Sequence, residues 1–324
     1  MSNQPHTHRP RIVVIVGATA SGKTALSLGL AERLNGEIVN ADSRQVYRGM
    51  DIGTAKPTPV ERARVTHHLI DIRDPDERFS LAEFLDLAGR AITEISASGR
   101  LPIPVGGTGQ YVRALVEGWT APAVPPDAAL RAELLARAER DGPDILHAEL
   151  TTLDPVAASR IDPRNVRRVV RALEVIRLTG RPFSEQGGMV EPAYDVLMLG
   201  LAWPREELYR RIDARVEEMF ATGLVDEVRS LVKRGYDCSL PSMGSIGYAQ
   251  VCQFLAGDLT LSEAVERTGT GTHRLARTQA AWFRRDDPRI HWLDPAVGDP
   301  LDDAEQLMRR FLTRPPADRS TTIQ

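Results

Sequence analysis

Lys23 stands between Gly22 and Thr24 at the end of the run Gly17-Ala18-Thr19-Ala20-Ser21-Gly22-Lys23-Thr24, the spacing of a phosphate-binding loop. Its two glycines permit backbone angles that turn successive N–H groups inward around phosphate oxygens. Lys23 is then placed to reach bridging and terminal phosphate oxygens, and the Thr24 hydroxyl to ligate Mg²⁺. The implied ligand is a di- or triphosphate. Eighteen residues beyond Thr24 comes Asp42-Ser43-Arg44-Gln45, followed by the polar turn Asp51-Ile52-Gly53-Thr54-Ala55-Lys56-Pro57. An ordinary nucleotide hydrolase has no need of an acid and a hydroxyl at that strand end. Three roles fit Asp42: Mg²⁺ ligand through water, general base, or turn aspartate.

The elements that must position these residues alternate between strand and helix patterns over the first 118 residues, as in a parallel α/β sheet. Arg11–Val16 is a continuous apolar run, expected of a strand buried on both faces. After the loop, Leu26, Leu30 and Leu34 fall on one helical face, which puts the anion at a helix N-terminus. Strands are expected at Gly36–Asn40, His68–Ile72 and Leu101–Val105, and a capping box at Ser80–Glu83 opens a helix to about Ser98. Asp42, Asp71 and Thr108 would then converge at the carboxyl edge of the sheet around Lys23. The turn Gly106-Gly107-Thr108 is either a tight strand-to-helix turn or a close approach to ligand. No catalytic role falls to Asp71 or Asp74.

A Pro-rich linker at Trp119–Pro126 opens a helical insertion, residues 119–194, which interrupts the core formed by 1–118 and 195–314. Strand character returns at Asp195–Ala202 and Ile290–Leu293. Helices are expected near Arg205–Arg234, Gly247–Leu255 and Ser262–Arg285, and 315–324 reads as a disordered tail. The fold class is α/β, a parallel-sheet core like that of phosphate-loop nucleoside triphosphatases with a helical insertion domain.

Arg160–Arg181 holds seven arginines against two acids, Asp162 and Glu174. Helical spacing puts Arg164, Arg167, Arg168 and Arg171 on one face, which either contacts several phosphates or is a solvated face. The run Thr272–Arg285 interleaves basic, amide and aromatic side chains, either for backbone contact and base stacking or as an amphipathic helix burying Leu275, Trp282 and Phe283.

The whole chain of 324 residues has a net charge of −3, so any nucleic-acid site is a local patch. Two cysteines, Cys238 and Cys252, give neither a metal-ligand spacing nor a disulfide framework, which fits a reducing cytoplasm. The seven histidines show no metal pattern, and no apolar stretch approaches membrane-spanning length.

Taken in order, several motifs resemble the IPP transferase family, the tRNA dimethylallyltransferases. They are the loop, Asn40–Tyr47, Asp51–Pro57, His68–Asp71, Val105–Tyr111, Arg171–Val175, Ile246–Tyr248 and Gln279–Arg284, spanning roughly residues 11–293. The family transfers the dimethylallyl group of dimethylallyl diphosphate to N6 of the adenosine 3′ of the anticodon, in tRNAs that read codons beginning with U. The resemblance implies that Gly17–Thr24 holds the allylic diphosphate with Mg²⁺. It further implies that Asp42 is the base, that Thr108 lies at the acceptor site, and that Arg215 helps hold the diphosphate. Contacts to the tRNA anticodon stem-loop would come from Asp42, Ser43, Arg44, Gln45 and Thr108, and from Arg131, Arg167, Arg168, Val169, Val170 and Arg171. Arg277, Gln279 and Trp282 complete that set. The expected protein is a cytoplasmic monomer without membrane contact. Ala18, Gln110, Gly244, Ala249 and Thr278 depart from the family pattern, Gly244 and Ala249 by lacking polar or basic side chains frequent there and Thr278 by standing where Arg is usual. The competing readings are a small-molecule kinase, which shares the loop, an enzyme prenylating free adenosine phosphates, and a non-catalytic RNA-binding module.

Overall fold

The computed structural model describes residues 9–122 and 124–315. The expected tail lies outside them from residue 316 onward. The chain divides into two compact units: one runs to Val116 and resumes at Pro192, and the other is Glu117–Glu191.

In the larger unit β1 (Arg11–Gly17) is apolar and buried from Ile12 on. The chain continues through α1 (Lys23–Arg33), β2 (Gly36–Asn40), α2 (Pro59–Arg64), β3 (His67–His68), α3 (Leu81–Ala97), β4 (Leu101–Val105) and α4 (Gly109–Glu117). Ser80 and Glu83 form the expected capping box at the start of α3. The expected third strand is cut to His67–His68, because Leu69 and Asp71 adopt φ of 62° and 56°, left-handed angles that no strand sustains. Asp71 is turned to Lys56 and Arg62, at 2.6 and 2.5 Å, and does not join Asp42 and Thr108.

The smaller unit holds β5 (Trp119–Thr120), α5 (Ala128–Asp141), α6 (Pro143–Leu153), α7 (Pro155–Arg160), α8 (Val166–Thr179) and β6 (Gly188–Met189). Leu134, Leu146, Leu150 and Leu173 are fully buried between its helices. β5 pairs antiparallel with β6, Trp119 opposite Met189. Its bounds fall two residues before and three before those expected.

The chain then returns through β7 (Asp195–Leu201), α9 (Arg205–Ala221), α10 (Leu224–Lys233), α11 (Tyr248–Ala256), α12 (Leu261–Trp282), β8 (Ile290–Leu293) and α13 (Pro300–Thr313). The six-stranded sheet runs β3-β2-β4-β1-β7-β8, with every pair parallel. Because β4 lies between β2 and β1, the loops that follow these three strands meet at one edge. One face is closed by Phe84, Ile92 and Val112, the other by Leu28, Leu30, Met308 and Phe311. The last two come from α13, a helix not foreseen in the sequence.

Cys238 and Cys252 form a disulfide, with Cα atoms 5.9 Å apart, which corrects the reading that they give no disulfide framework. Two cysteines are too few to signal a framework; here α11 folds back along the turn that follows α10 and brings them together.

Candidate active site

The phosphate loop owes its shape to its glycines and to side chains from distant segments. Gly17 has φ 148°, and a Cβ there would meet Ser21 Oγ at 2.9 Å and the Leu201 carbonyl at 3.0 Å. Gly22, at φ 99°, caps the N-terminus of α1. Ala20 adopts φ 61°, a left-handed angle costly for a residue with a Cβ. Two side chains hold it there. Arg211 Nε donates to the Ala20 carbonyl at 3.0 Å, and Trp203 Nε1 to the Ser21 carbonyl at 2.9 Å. The Arg211 guanidinium also lies over the Trp203 ring, 4.5 Å from its centroid.

Lys23 Nζ donates to the carbonyls of Ala18 and Gly17, at 2.7 and 3.1 Å. Burial pushes its ammonium down to about 8, with Asp42 opposing the shift and Arg215 adding to it. The Arg215 guanidinium is likewise lowered, by burial first and by Arg211 second. Three cations and a helix N-terminus thus share one wall, and an anion there would relieve their repulsion.

Asp42 follows β2 and lines a cavity of about 720 Å³ together with Lys23, Thr24, Arg215 and Thr108. The Asn40 side chain accepts from Asp42 N–H at 3.0 Å and donates to the Leu69 carbonyl at 3.0 Å, which fixes the strand end. Asp42 Oδ1 accepts from Arg44 N–H at 2.8 Å, so the turn role is real and occupies one carboxylate oxygen. Ser43 N–H donates to Thr108 Oγ1 at 3.0 Å, tying the loop after β2 to that after β4. The glycines beside Thr108 serve close approach to protein. A Cβ on Gly106 would meet the Ala41 carbonyl at 2.2 Å, one on Gly107 the Gln279 amide at 2.3 Å, and one on Gly109 the Trp282 side chain at 2.1 Å.

The residues expected at a tRNA surface sort unevenly. Gln279 is buried: its Oε1 accepts from Thr19 N–H at 2.8 Å, and its Nε2 donates to the Gly107 carbonyl at 3.1 Å. It is therefore withdrawn from the RNA contacts. Trp282 and Arg277 are exposed on α12, and Arg277 donates to Tyr209 Oη at 3.0 Å. Of the apolar residues expected inside, only Phe283 is buried. Arg44 is exposed, and Gln45 Nε2 donates to the carbonyls of Thr54 and Ala55.

In the smaller unit Val169 and Val170 lie in the hydrophobic core, leaving no surface for RNA. Arg131 and Arg171 are both paired with Glu174, a carboxylate with no exposure. Arg164 precedes α8 and pairs with Asp162. Arg167 and Arg168 remain exposed and make no ion pair among the described residues.

Trp203 and Arg211 escaped the sequence reading, since nothing local links them to a loop some 180 residues away. Gln279 carried a signal: an amide between Ala276 and Phe283 on the apolar face of a helix needs buried partners.

A family model described as IPP transferase matches residues 45–286, and one described as isopentenyl transferase matches residues 10–77. A tRNA dimethylallyltransferase of Chloroflexus aurantiacus is 56% identical over 85% of this chain and 93% of that protein. The crystal structure of the full-length tRNA isopentenylpyrophosphate transferase of Bacillus halodurans has a TM-score of 0.70 at 43% identity. It covers 94% of this chain and 97% of that one. A eukaryotic dimethylallyltransferase acting on tRNA has a TM-score of 0.80 at 28% identity, over 95% of this chain and 81% of that one.

Proposed function

The chain belongs to the IPP transferase family and dimethylallylates tRNA, and from that premise we propose how this site does so. The donor is dimethylallyl diphosphate, held by Gly17–Thr24. The acceptor is N6 of the adenosine immediately 3′ of the anticodon, in tRNAs that read codons beginning with U, in the cytoplasm. The observation that carries the reading is that one cavity is lined by Lys23, Arg215 and the α1 N-terminus together with Asp42 and Thr108.

Diphosphate leaves readily once its charge is neutralised, and Lys23, Arg215 and the loop N–H groups supply that. Adenine N6 is a poor nucleophile, its lone pair being delocalised into the ring. As N6 bonds to the allylic C1, the C1–O bond breaks with its electrons passing to diphosphate, and the N6 proton passes to Asp42. Oδ2 is the oxygen left for it, since Oδ1 is engaged by Arg44 N–H. General-base assistance is worth about 10²–10⁴-fold. The adenosine must leave its stack to enter the cavity, at a cost of a few kcal/mol. Thr108 stands at the acceptor side, with Arg44, Arg167, Arg168, Arg277 and Trp282 as RNA contacts.

Among the described residues no cluster of three acidic, histidine or cysteine side chains forms a metal cage. Mg²⁺ fits all the same, because it keeps waters and substrate phosphate as ligands. The Thr24 hydroxyl would hold it, and it would supply charge neutralisation on the diphosphate.

The test incubates the protein with Mg²⁺, dimethylallyl diphosphate and unmodified tRNA carrying adenosine at that position, then weighs the digested nucleosides. An adenosine heavier by one isopentenyl unit, absent when ATP replaces the donor, is expected. Modification of free AMP but not of tRNA would overturn the acceptor assignment.

A further inference from the structure

Gln279 uses both ends of its amide. The Oε1 takes Thr19 N–H of the phosphate loop, and Nε2 gives to the Gly107 carbonyl, next to Thr108. Thr108 Oγ1 in turn accepts from Ser43 N–H, the peptide that follows Asp42. A path of three hydrogen bonds and the backbone between them therefore joins the loop proposed to hold the donor to the turn that carries the base. A loop built for affinity alone would leave Thr19 N–H to a phosphate oxygen; here a protein side chain takes it. The fit is close, because a Cβ on Gly107 would lie 2.3 Å from Gln279 Nε2. The side chain is only 6% exposed, so the amide is dry and each end would be left unpaired if its partner moved.

We propose that Gln279 is a positioning residue that locks the phosphate loop and the Gly107–Thr108 turn into one rigid piece, setting the distance between allylic carbon and acceptor nitrogen. Both ends of its amide are taken by protein groups, so it acts through them. Its effect belongs to the chemical step, where a misplacement of about 1 Å costs on the order of 10²-fold, and not to binding. The role rests on the phosphate loop holding the allylic diphosphate.

The experiment replaces Gln279→Met, nearly the same shape with both strong hydrogen bonds lost, and Gln279→Asn, too short to span both partners. Three quantities are read for each: inorganic diphosphate affinity with Mg²⁺ by calorimetry, tRNA affinity, and the single-turnover transfer rate at saturation. The expected result is a rate at least about tenfold below wild type, with both affinities within about threefold. A rate within threefold of wild type, or affinities that fall in parallel with the rate, would overturn the role. If Gln279→Met does not fold, Gln279→Asn decides alone by the same criteria. Absence of transfer by the wild type in the same assay would count against the donor assignment instead.

Discussion

The Arg171 guanidinium lies 2.6 Å from the carboxylate of Glu174, which is wholly buried and also paired with Arg131 at 2.8 Å. Burial alone would raise the Glu174 pKa; the two guanidiniums and the Asp127 N–H hold it below the usual carboxylate range. Removing one partner leaves a buried carboxylate half-compensated. Arg171→Ala should therefore destabilise the smaller unit by roughly 2 kcal/mol, below the roughly 3–5 kcal/mol of a fully broken buried pair because Arg131 remains. Denaturant unfolding of the single variant checks this, and an unchanged midpoint would show that the pair contributes nothing to stability.

Arg167 and Arg168, one turn earlier on α8, should behave in the opposite way. Their joint replacement by Ala removes no ion pair among the described residues, so the unfolding midpoint stays put. The tRNA affinity falls, and the slope of its logarithm against the logarithm of salt concentration flattens by about one to two. A titration at three or four salt concentrations reads the slope directly. An unaltered slope would return these arginines to a solvated face.

That contrast also shows where the sequence is readable. Gly17–Thr24 is contiguous, and its chemistry follows from local backbone needs, so its role is legible without a fold. Asp42 and Thr108 are legible one step further, because strand ends of a parallel sheet share an edge. The arginine stripe is legible only in part: spacing says which residues share a face, not which of them meets a buried acid. Leu69 and Asp71 read as strand because their neighbours are apolar, while in the fold both are left-handed and Asp71 pairs with Lys56 and Arg62, which no local pattern announces. Trp203, Arg211 and Gln279 act across large sequence distances, and only the packing of α9 and α12 brings them to the loop.

Asp42→Ala should lower single-turnover transfer by at least about 10²-fold while tRNA affinity stays within a few-fold, since only the proton acceptor is lost. Some change in the local turn is unavoidable, because Arg44 N–H loses its partner. Asp42→Asn keeps an acceptor oxygen for that N–H and removes the base. The two variants should therefore be equally slow. An active Asn variant would assign Asp42 to the turn and not to the chemistry.

The Lys23 ammonium, pushed down to about 8 by burial, predicts how donor binding responds to pH. In the free protein the cation is present below that value and lost above it, so affinity for the diphosphate falls as pH rises. Between pH 7 and pH 9 the protonated fraction drops to about one tenth, and the affinity should weaken roughly tenfold. Calorimetry with inorganic diphosphate and Mg²⁺ at pH 7, 8 and 9 measures it. Lys23→Met should be weak and flat over the same range. A wild-type curve as flat as that of the variant would remove Lys23 from anion binding.

The disulfide between Cys238 and Cys252 joins the turn after α10 to α11. It closes the loop carrying Pro241, whose carbonyl accepts from Arg44, and Gly244 to Ile246, which line the cavity. The two cysteines are 14 residues apart, and closing a loop of that size stabilises by about 3 kcal/mol in the chain-entropy account. Unfolded without reductant, the protein should show no titratable thiol, and after reduction two. The reduced form should melt a few degrees lower. Two thiols before reduction would show the pair to be open in solution, and an unchanged melting point would show that the bridge adds nothing to the stability of this segment.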